Sequence, residues 1–201
     1  MSSELFGHMN ARVNQLFRGY AANAANEVKA MAHLRQAVGQ PPGSNPAIWE
    51  FTLMGLPERL QGKGKNPSPS EWASHLALCL YAVHQQSTRD RSMHSAVRPF
   101  ASSIRELATS GDRSPESVKR RFDALATSTS PQEIQHHVGS IIRLLRTSGI
   151  AFDYAMFAVD LRGLMTPKDR KAVLLRWGRD FACFKRNSES ELEVESPEAT
   201  V

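Results

Sequence analysis

Histidine and cysteine side chains are the first places to look for chemistry in this sequence. The chain has 201 residues, with seven histidines and two cysteines. A metal-dependent hydrolase would place His beside Asp, or in an HExxH helix where i and i+4 share a face. None of the seven histidines is followed by Asp, and HExxH does not occur. His136 and His137 are neighbours, and on a helix they would diverge by about 100°, which is poor geometry for shared ligation. His84 ends an apolar helix and reads as a packed or capping side chain. Cys79 falls on the apolar stripe of Trp72, Leu76 and Val83, where a thiol would be desolvated and inert. Cys79 and Cys183 both sit at apolar helical positions and read as reduced core residues, not a disulfide or metal pair. Gly62-Lys63-Gly64 falls short of a phosphate-binding loop, which needs four residues between its glycines and a hydroxyl after the lysine. No catalytic constellation emerges, and no cofactor or metal is expected.

Cations offer a different chemistry. Lys119, Arg120 and Arg121 lie together in Ser114–Ser128, near the N-terminal end of a helix, where the dipole disfavours positive charge. Val118, Phe122 and Leu125 form that helix's apolar stripe. At about 100° per residue Arg120 points away from the stripe, and Lys119 and Arg121 flank it. Arg121 is expected to lay its stem along the core edge. A second cationic strip is expected on the helix over 131–147, where His136, Gly139, Arg143 and Arg146 lie opposite Ile134, Val138, Ile141 and Leu145. A glycine there would let a backbone or phosphate approach closely. Lys168, Arg170 and Lys171 crowd the first turn of a further helix, where free N–H groups attract anions. Such a set of side chains binds phosphates without reading bases. The aromatic residues Trp49, Trp72, Trp177, Phe122 and Phe181 read as core, not as base-stacking platforms.

The elements that carry these cations announce themselves by punctuation. Ser68-Pro69-Ser70-Glu71, Ser130-Pro131-Gln132-Glu133 and Thr166-Pro167-Lys168-Asp169 each place a hydroxyl, a first-turn proline and an acid in capping-box order. Ser114-Pro115-Glu116 and Asn45-Pro46 are simpler start signals. Helices are predicted at 10–20, 22–38, 46–55, 69–87, 97–109, 115–127, 131–147, 154–164 and 167–186. Nothing shows sustained alternation, so the fold class is all-α, two packed helical bundles with no sheet. Residues 61–67 and 87–92 read as mobile basic loops, the latter with Arg89 and Arg91. The stretch at Ser110-Gly111-Asp112 is the expected boundary between an N-terminal helical domain, 1–110, and a C-terminal bundle, 111–187. Residues 188–201 read as a disordered acidic tail.

Charge follows the same division. The net charge is +5. Residues 188–201 hold five glutamates and no Lys or Arg, so residues 1–187 carry all 25 basic side chains against 15 acidic ones, a balance of +10. Such a body suits a polyanion. No apolar run approaches a membrane span and no signal peptide is evident, so a cytoplasmic protein is expected.

Four landmarks in order resemble one family. They are Ala32-His33-Leu34-Arg35 with Gly39, the helix Ala77–Gln85 ending in His-Gln, Lys119-Arg120-Arg121-Phe122 with Leu125, and Ile142–Leu145 running through Phe152-Asp153-Tyr154 to Asp160-Leu161. Trp177 and Phe181 complete the set. Over roughly 25–184 the chain resembles the CasB small subunit of Cascade, the type I-E CRISPR surveillance complex. Gln36, Thr127–Ser130 and Tyr154 depart from the family pattern. The resemblance implies an all-helical, non-catalytic subunit present in two copies beside the Cascade backbone and large subunits. It implies contact with guide RNA and target DNA, supporting the target strand and guiding the displaced non-target strand. Nucleic-acid-binding residues carried over or read from the charge pattern are Arg35, Lys119, Arg120, Arg121, Arg143, Arg146 and Lys168. Two other classes fit the residues alone: a stand-alone helical nucleic-acid-binding regulator, and a structural subunit whose basic face docks an acidic protein.

Overall fold

Start signals written in the sequence set most of the helix boundaries. The computed structural model describes residues 2–111 and 113–182. Within them run α1 (Ser2–Ala21), α2 (Ala25–Gln36), α3 (Trp49–Thr52), α4 (Pro69–His84), α5 (Phe100–Thr109), α6 (Pro115–Thr127), α7 (Pro131–Ser148), α8 (Tyr154–Leu164) and α9 (Pro167–Ala182). Short 3₁₀ turns occupy Pro46–Ile48 and Glu58–Leu60. The architecture is all-α. Among the described residues no strand forms, and His94 and Phe152 make one isolated bridge. Cys183, Phe184 and the acidic stretch 188–201 lie outside the described residues.

Two of the three expected capping boxes close completely. Ser68 Oγ accepts from the Glu71 N–H at 3.0 Å, and Glu71 accepts from the Ser68 N–H at 2.7 Å. Ser130 and Glu133 repeat the arrangement at 3.2 and 3.3 Å. The third is a correction. Thr166 Oγ1 turns back to donate to the Arg162 carbonyl at 2.9 Å, and Asp169 lies 3.9 Å from the Arg162 guanidinium. At its other end α7 stops on Gly149, which takes φ +64° and returns its N–H to Arg146 and Leu145.

Other boundaries moved for local reasons. Helix α1 begins at Ser2, not at residue 10, because Leu5, Met9, Val13, Leu16 and Tyr20 make one buried stripe. Gly7 and His8 obscure that stripe in the sequence. Helix α5 starts at Phe100, since Pro99 holds the preceding residue out of helical geometry. The stretch 46–55 shrinks to a 3₁₀ turn and the single turn of α3. Trp49 there is 43% exposed rather than in the core, with its indole N–H donating to the Gly43 carbonyl at 2.9 Å. Helix α4 ends at His84, and Gln85 ties down the basic stretch that follows. Its amide donates to the Thr88 and Arg91 carbonyls and its oxygen accepts from the Met93 N–H.

Helix α8 is apolar on nearly every side, so other helices surround it. It packs on α1, α4 and α9, while α4 also meets α2 and α7, and α6 lies against α5 and α7. An aromatic chain joins α5, α6, α8 and α9: Phe100 to Phe157 at 4.5 Å, Phe100 to Trp177 at 5.4 Å, Phe122 to Trp177 at 5.7 Å and Phe122 to Phe181 at 5.2 Å between centroids. Asp160 on α8 is buried. It accepts from the Trp177 indole at 2.7 Å and pairs with Arg176, so a charge deep in the core is compensated.

Candidate nucleic-acid interface

The three adjacent cations of α6 leave the helix in three directions, as the wheel requires. Lys119 is exposed and pairs with Asp123 one turn on, at 2.6 Å. Arg121 turns toward α7 and donates from Nη1 to Ser140 Oγ at 2.8 Å. Arg120, between them, faces solvent. Arg143 on α7 is exposed as well. Among the described residues neither Arg120 nor Arg143 is engaged by a carboxylate or a carbonyl through its side chain. Ser140 is one turn from Arg143 on α7, so Arg121 bridges α6 to α7 at a residue neighbouring Arg143 along that helix. Ser140 escaped notice in the sequence, although its spacing to Arg143 was the available signal.

The strip on α7 is narrower than expected. Gly139 and Ile142 are buried along with Ile134, Val138, Ile141 and Leu145. Gly139 is buried toward α4, where a Cβ would lie 4.0 Å from Leu80, so it is not open to a phosphate. Arg146, half-buried on the same side, donates to Gln86 Oε1 at 3.1 Å. Arg91 lies directly over Gly149, on the side where a Cβ would project. Two arginines therefore sit at the C-terminal end of α7, where the helix dipole favours them.

Helix N-termini turn out to be occupied by the chain's own carboxylates. Backbone N–H groups of Thr129 and Ser130 hold the Glu133 carboxyl below its ordinary range. The Ser114 hydroxyl does the same for Glu116 at the start of α6. Any anion drawn to α6 and α7 is therefore left with the arginines rather than those helix ends.

The remaining expected residues lie elsewhere. Lys168 is exposed in the first turn of α9. That turn sits beside the C-terminal end of α6, because Arg170 donates to the Ala126 and Ser128 carbonyls at 2.9 and 2.5 Å. Arg35 is half-buried on α2, and its Nη1 is enclosed without an acceptor. It stands in the last turn of α2, a helix packed against α1 and α4. Arg89 is engaged by α1: its guanidinium stacks 4.5 Å over the Tyr20 ring and donates to Asn23 at 2.6 Å.

The buried polar groups are arranged for packing. His84 has no exposed surface and its Nδ1 lies 3.0 Å from the Tyr154 hydroxyl. Burial pushes its pKa down to about 3, so it is neutral. Cys79 is fully enclosed and burial drives its thiol far above the ordinary range, as expected of an inert thiol. Among the described residues no helix is long and apolar enough to cross a membrane.

Comparison with known families is decided by one match. The family of the CRISPR-associated protein Cse2 matches residues 30–181. The chain belongs to the Cse2 family. CasB from Thermobifida fusca is 26% identical, with a TM-score of 0.76 over 90% of this chain and 98% of that one. A Cse2-family CRISPR-associated protein from Thermus thermophilus shares the fold at 23% identity, with a TM-score of 0.62 over 87% of this chain and 97% of its own. No curated protein is similar enough to count as a match. The CasB resemblance read from the sequence is thereby upheld, and the Cse2 chain is a subunit of a type I-E Cascade. Every expected site residue from Arg35 to Lys168 lies inside the matched Cse2 region, while α1 and the acidic stretch 188–201 lie wholly outside it.

Proposed function

We propose that this Cse2 chain is a non-catalytic small subunit that holds nucleic-acid backbone without reading sequence and so stabilises the R-loop. The observation that carries the reading is the pair Arg120 and Arg143, exposed on adjacent helices and free of carboxylate partners. An exposed guanidinium without an internal partner is ready for a phosphate, and each such contact releases counterions. Forming an R-loop exchanges one duplex for another of similar stability, so modest backbone contacts can tip it. Guide pairing supplies the sequence, and the subunit needs none. In this reading the helical group 1–110 is the platform and the bundle 111–187 carries the charge to the strands. The partners are the Cascade backbone and large subunits, a second copy, the guide RNA and both target-DNA strands, in the cytoplasm. Arg121 and Arg143 act together across the groove, Lys119 and Arg146 contribute at its edges, and Arg35 and Lys168 extend contact beyond it.

The test is binding to unrelated single-stranded DNAs over a salt series. Wild-type affinities are expected to be nearly equal among sequences and to fall steeply with salt. Arg120→Ala and Arg143→Ala should each weaken binding and lower the salt slope by about one. Their melting should stay within about 0.5 kcal/mol of wild type, as for other exposed positions. Strong preference for one sequence would point to a stand-alone regulator. Early melting at unchanged affinity would make the arginine structural. No binding at all, with copurification of protein partners only, would make the basic face a protein-docking surface.

A further inference from the structure

Helix α9 turns one side to α5, α6 and α8, and its outer side is not absorbed by the reading above. Val173 and Trp177 are buried on the inner side, with Arg170, Leu174 and Phe181 half-buried beside them. At about 100° per residue, every exposed position from Pro167 to Ala182 falls in one arc of about 140°, with Leu175 near its middle. We propose that this face docks a protein: an apolar, carboxylate-bearing surface of another Cascade subunit. The proposal rests on the reading above only in taking other Cascade subunits as partners, and it does not depend on the α6–α7 arginines.

Charge selects the partner. Lys171 and Arg179 lie in the arc, as does Lys168 at the end next to α6, and no carboxylate does. The two acids of α9 stand outside it. Asp169 lies 3.9 Å from Arg162 of α8, and Asp180 is half-buried, with its carbonyl accepting from Ser102 of α5 at 3.3 Å. Among the described residues neither Lys171 nor Arg179 is held by a carboxylate.

Apolar content selects a protein over nucleic acid. Leu175 is 56% exposed, with Lys171 and Arg179 one turn away on either side. Ala172 and Gly178 flank it, and nothing lies within 4 Å of where a Cβ on Gly178 would stand. The middle of the face is therefore uncharged and carries short side chains around one leucine, with cations toward its ends. Protein interfaces share that anatomy, an apolar centre within a polar rim. Short side chains also let a partner helix approach to the near end of ordinary packing distances. A phosphate chain gains nothing from Leu175. The rings on which a base could stack, Trp177 and Phe181, are turned inward to Phe122.

A second copy does not fit this face. Two copies packed α9 on α9 would set their own cations against each other. Elsewhere among the described helices only α6 carries two acids, and Glu116 and Asp123 there are already engaged by Ser114 and Lys119.

The experiment co-expresses the full chain with the other subunits of its own Cascade and purifies the assembly. Two variants change the face without unsettling the fold. Leu175→Glu puts a carboxylate four residues from both Lys171 and Arg179, which favours the helix but opposes an acidic partner. Gly178→Arg raises helix propensity and fills the middle of the face. Each isolated variant should melt at or above the wild-type temperature, while its incorporation at limiting concentration falls by at least about tenfold. Zero-length carbodiimide coupling of the wild-type assembly should join Lys171 to a carboxylate of another subunit. Wild-type incorporation of both variants, or no Lys171 product, overturns the proposal and leaves the Cascade partners standing. A wild-type chain that joins no other subunit overturns both. Tighter binding of single-stranded DNA by Gly178→Arg with assembly intact would give the face to nucleic acid. Coupling of Lys171 only to a second copy would make it a self-contact, and either result overturns the proposal.

Discussion

Arg170 and Arg120 both stand in the N-terminal halves of proline-started helices, and their surroundings send them to opposite tasks. Arg170 is half-buried and donates to three backbone carbonyls, Leu164 at the end of α8 and Ala126 and Ser128 at the end of α6. Those are among the carbonyls that a helix end leaves without an intrahelical donor. Removing the guanidinium strands them. Arg170→Ala is expected to cost about 1–3 kcal/mol in chemical denaturation. It should leave single-stranded DNA affinity unchanged, the reverse of the outcome expected for Arg120→Ala. Unaltered stability would show that water replaces the guanidinium at those carbonyls. In the sequence the two arginines look alike, since each follows a helix start signal. Only the approach of α6 to α9 separates them, and that approach depends on Phe122, Trp177 and Phe181 meeting in three dimensions.

Two helix-interior glycines make the same point for elements. Gly139 of α7 and Gly163 of α8 both weaken their helices by roughly 1 kcal/mol relative to alanine. A Cβ on Gly139 would meet Arg143 at 3.7 Å and Leu80 at 4.0 Å, ordinary contact distances. A Cβ on Gly163 would meet a Val173 methyl at 2.6 Å, closer than two carbons can pack, and that methyl is fixed in the α8–α9 contact. Gly139→Ala is therefore expected to stabilise by up to about 1 kcal/mol, and Gly163→Ala to destabilise by about 1–3 kcal/mol through overpacking. Thermal melts of the two variants should shift in opposite directions. If both rise, α9 moves away from α8 more easily than its packing implies. The starts of α4, α6 and α7 were legible because a cap is local chemistry: a serine, a proline and, in two cases, a glutamate that reaches back. Helix α9 starts at Pro167 as its punctuation predicts, but the capping box expected there does not form, because the Thr166 hydroxyl donates back to the Arg162 carbonyl. The width of the buried face of α7 was misread because α4 covers a second flank that one stripe of aliphatic residues does not reveal.

Across the molecule, helix class and order were legible, since a helical stripe and its punctuation survive without knowledge of partners. What escaped was the burial of polar side chains, which is set by packing between distant segments. Asp160 shows this best, an acid on an apolar helix that is buried against Trp177 and Arg176 of α9. His84, read from the sequence as packed or capping, is indeed enclosed, by α4, α7 and α8. Burial lowers the pKa of His84 to about 3 and, to a lesser degree, lowers those of His8, His75 and His94. Arg146 near His84 and Arg12 near His8 push the same way, while Asp153 beside His94 opposes. In the unfolded chain these imidazoles titrate near 6.5. Between about pH 6.5 and 3 the unfolded chain therefore binds a proton at position 84 that the folded chain refuses, and stability falls as pH falls. His84 alone should remove about 2 kcal/mol between pH 7.5 and 5, with the other three adding in the same direction. The carboxyls of Glu116 and Glu133, held below their ordinary range, lose their stabilising ionisation only in more acid solution and stay outside this window. Denaturant melts at pH 5, 6 and 7.5 give the slope. His84→Gln, which keeps a polar group for the Tyr154 hydroxyl, should lower stability at pH 7.5 yet flatten the slope by close to one proton. An equally steep slope in that variant would mean that His84 is protonated in the native state, and the closed packing of α4 on α7 and α8 would then have to open to water at mildly acid pH.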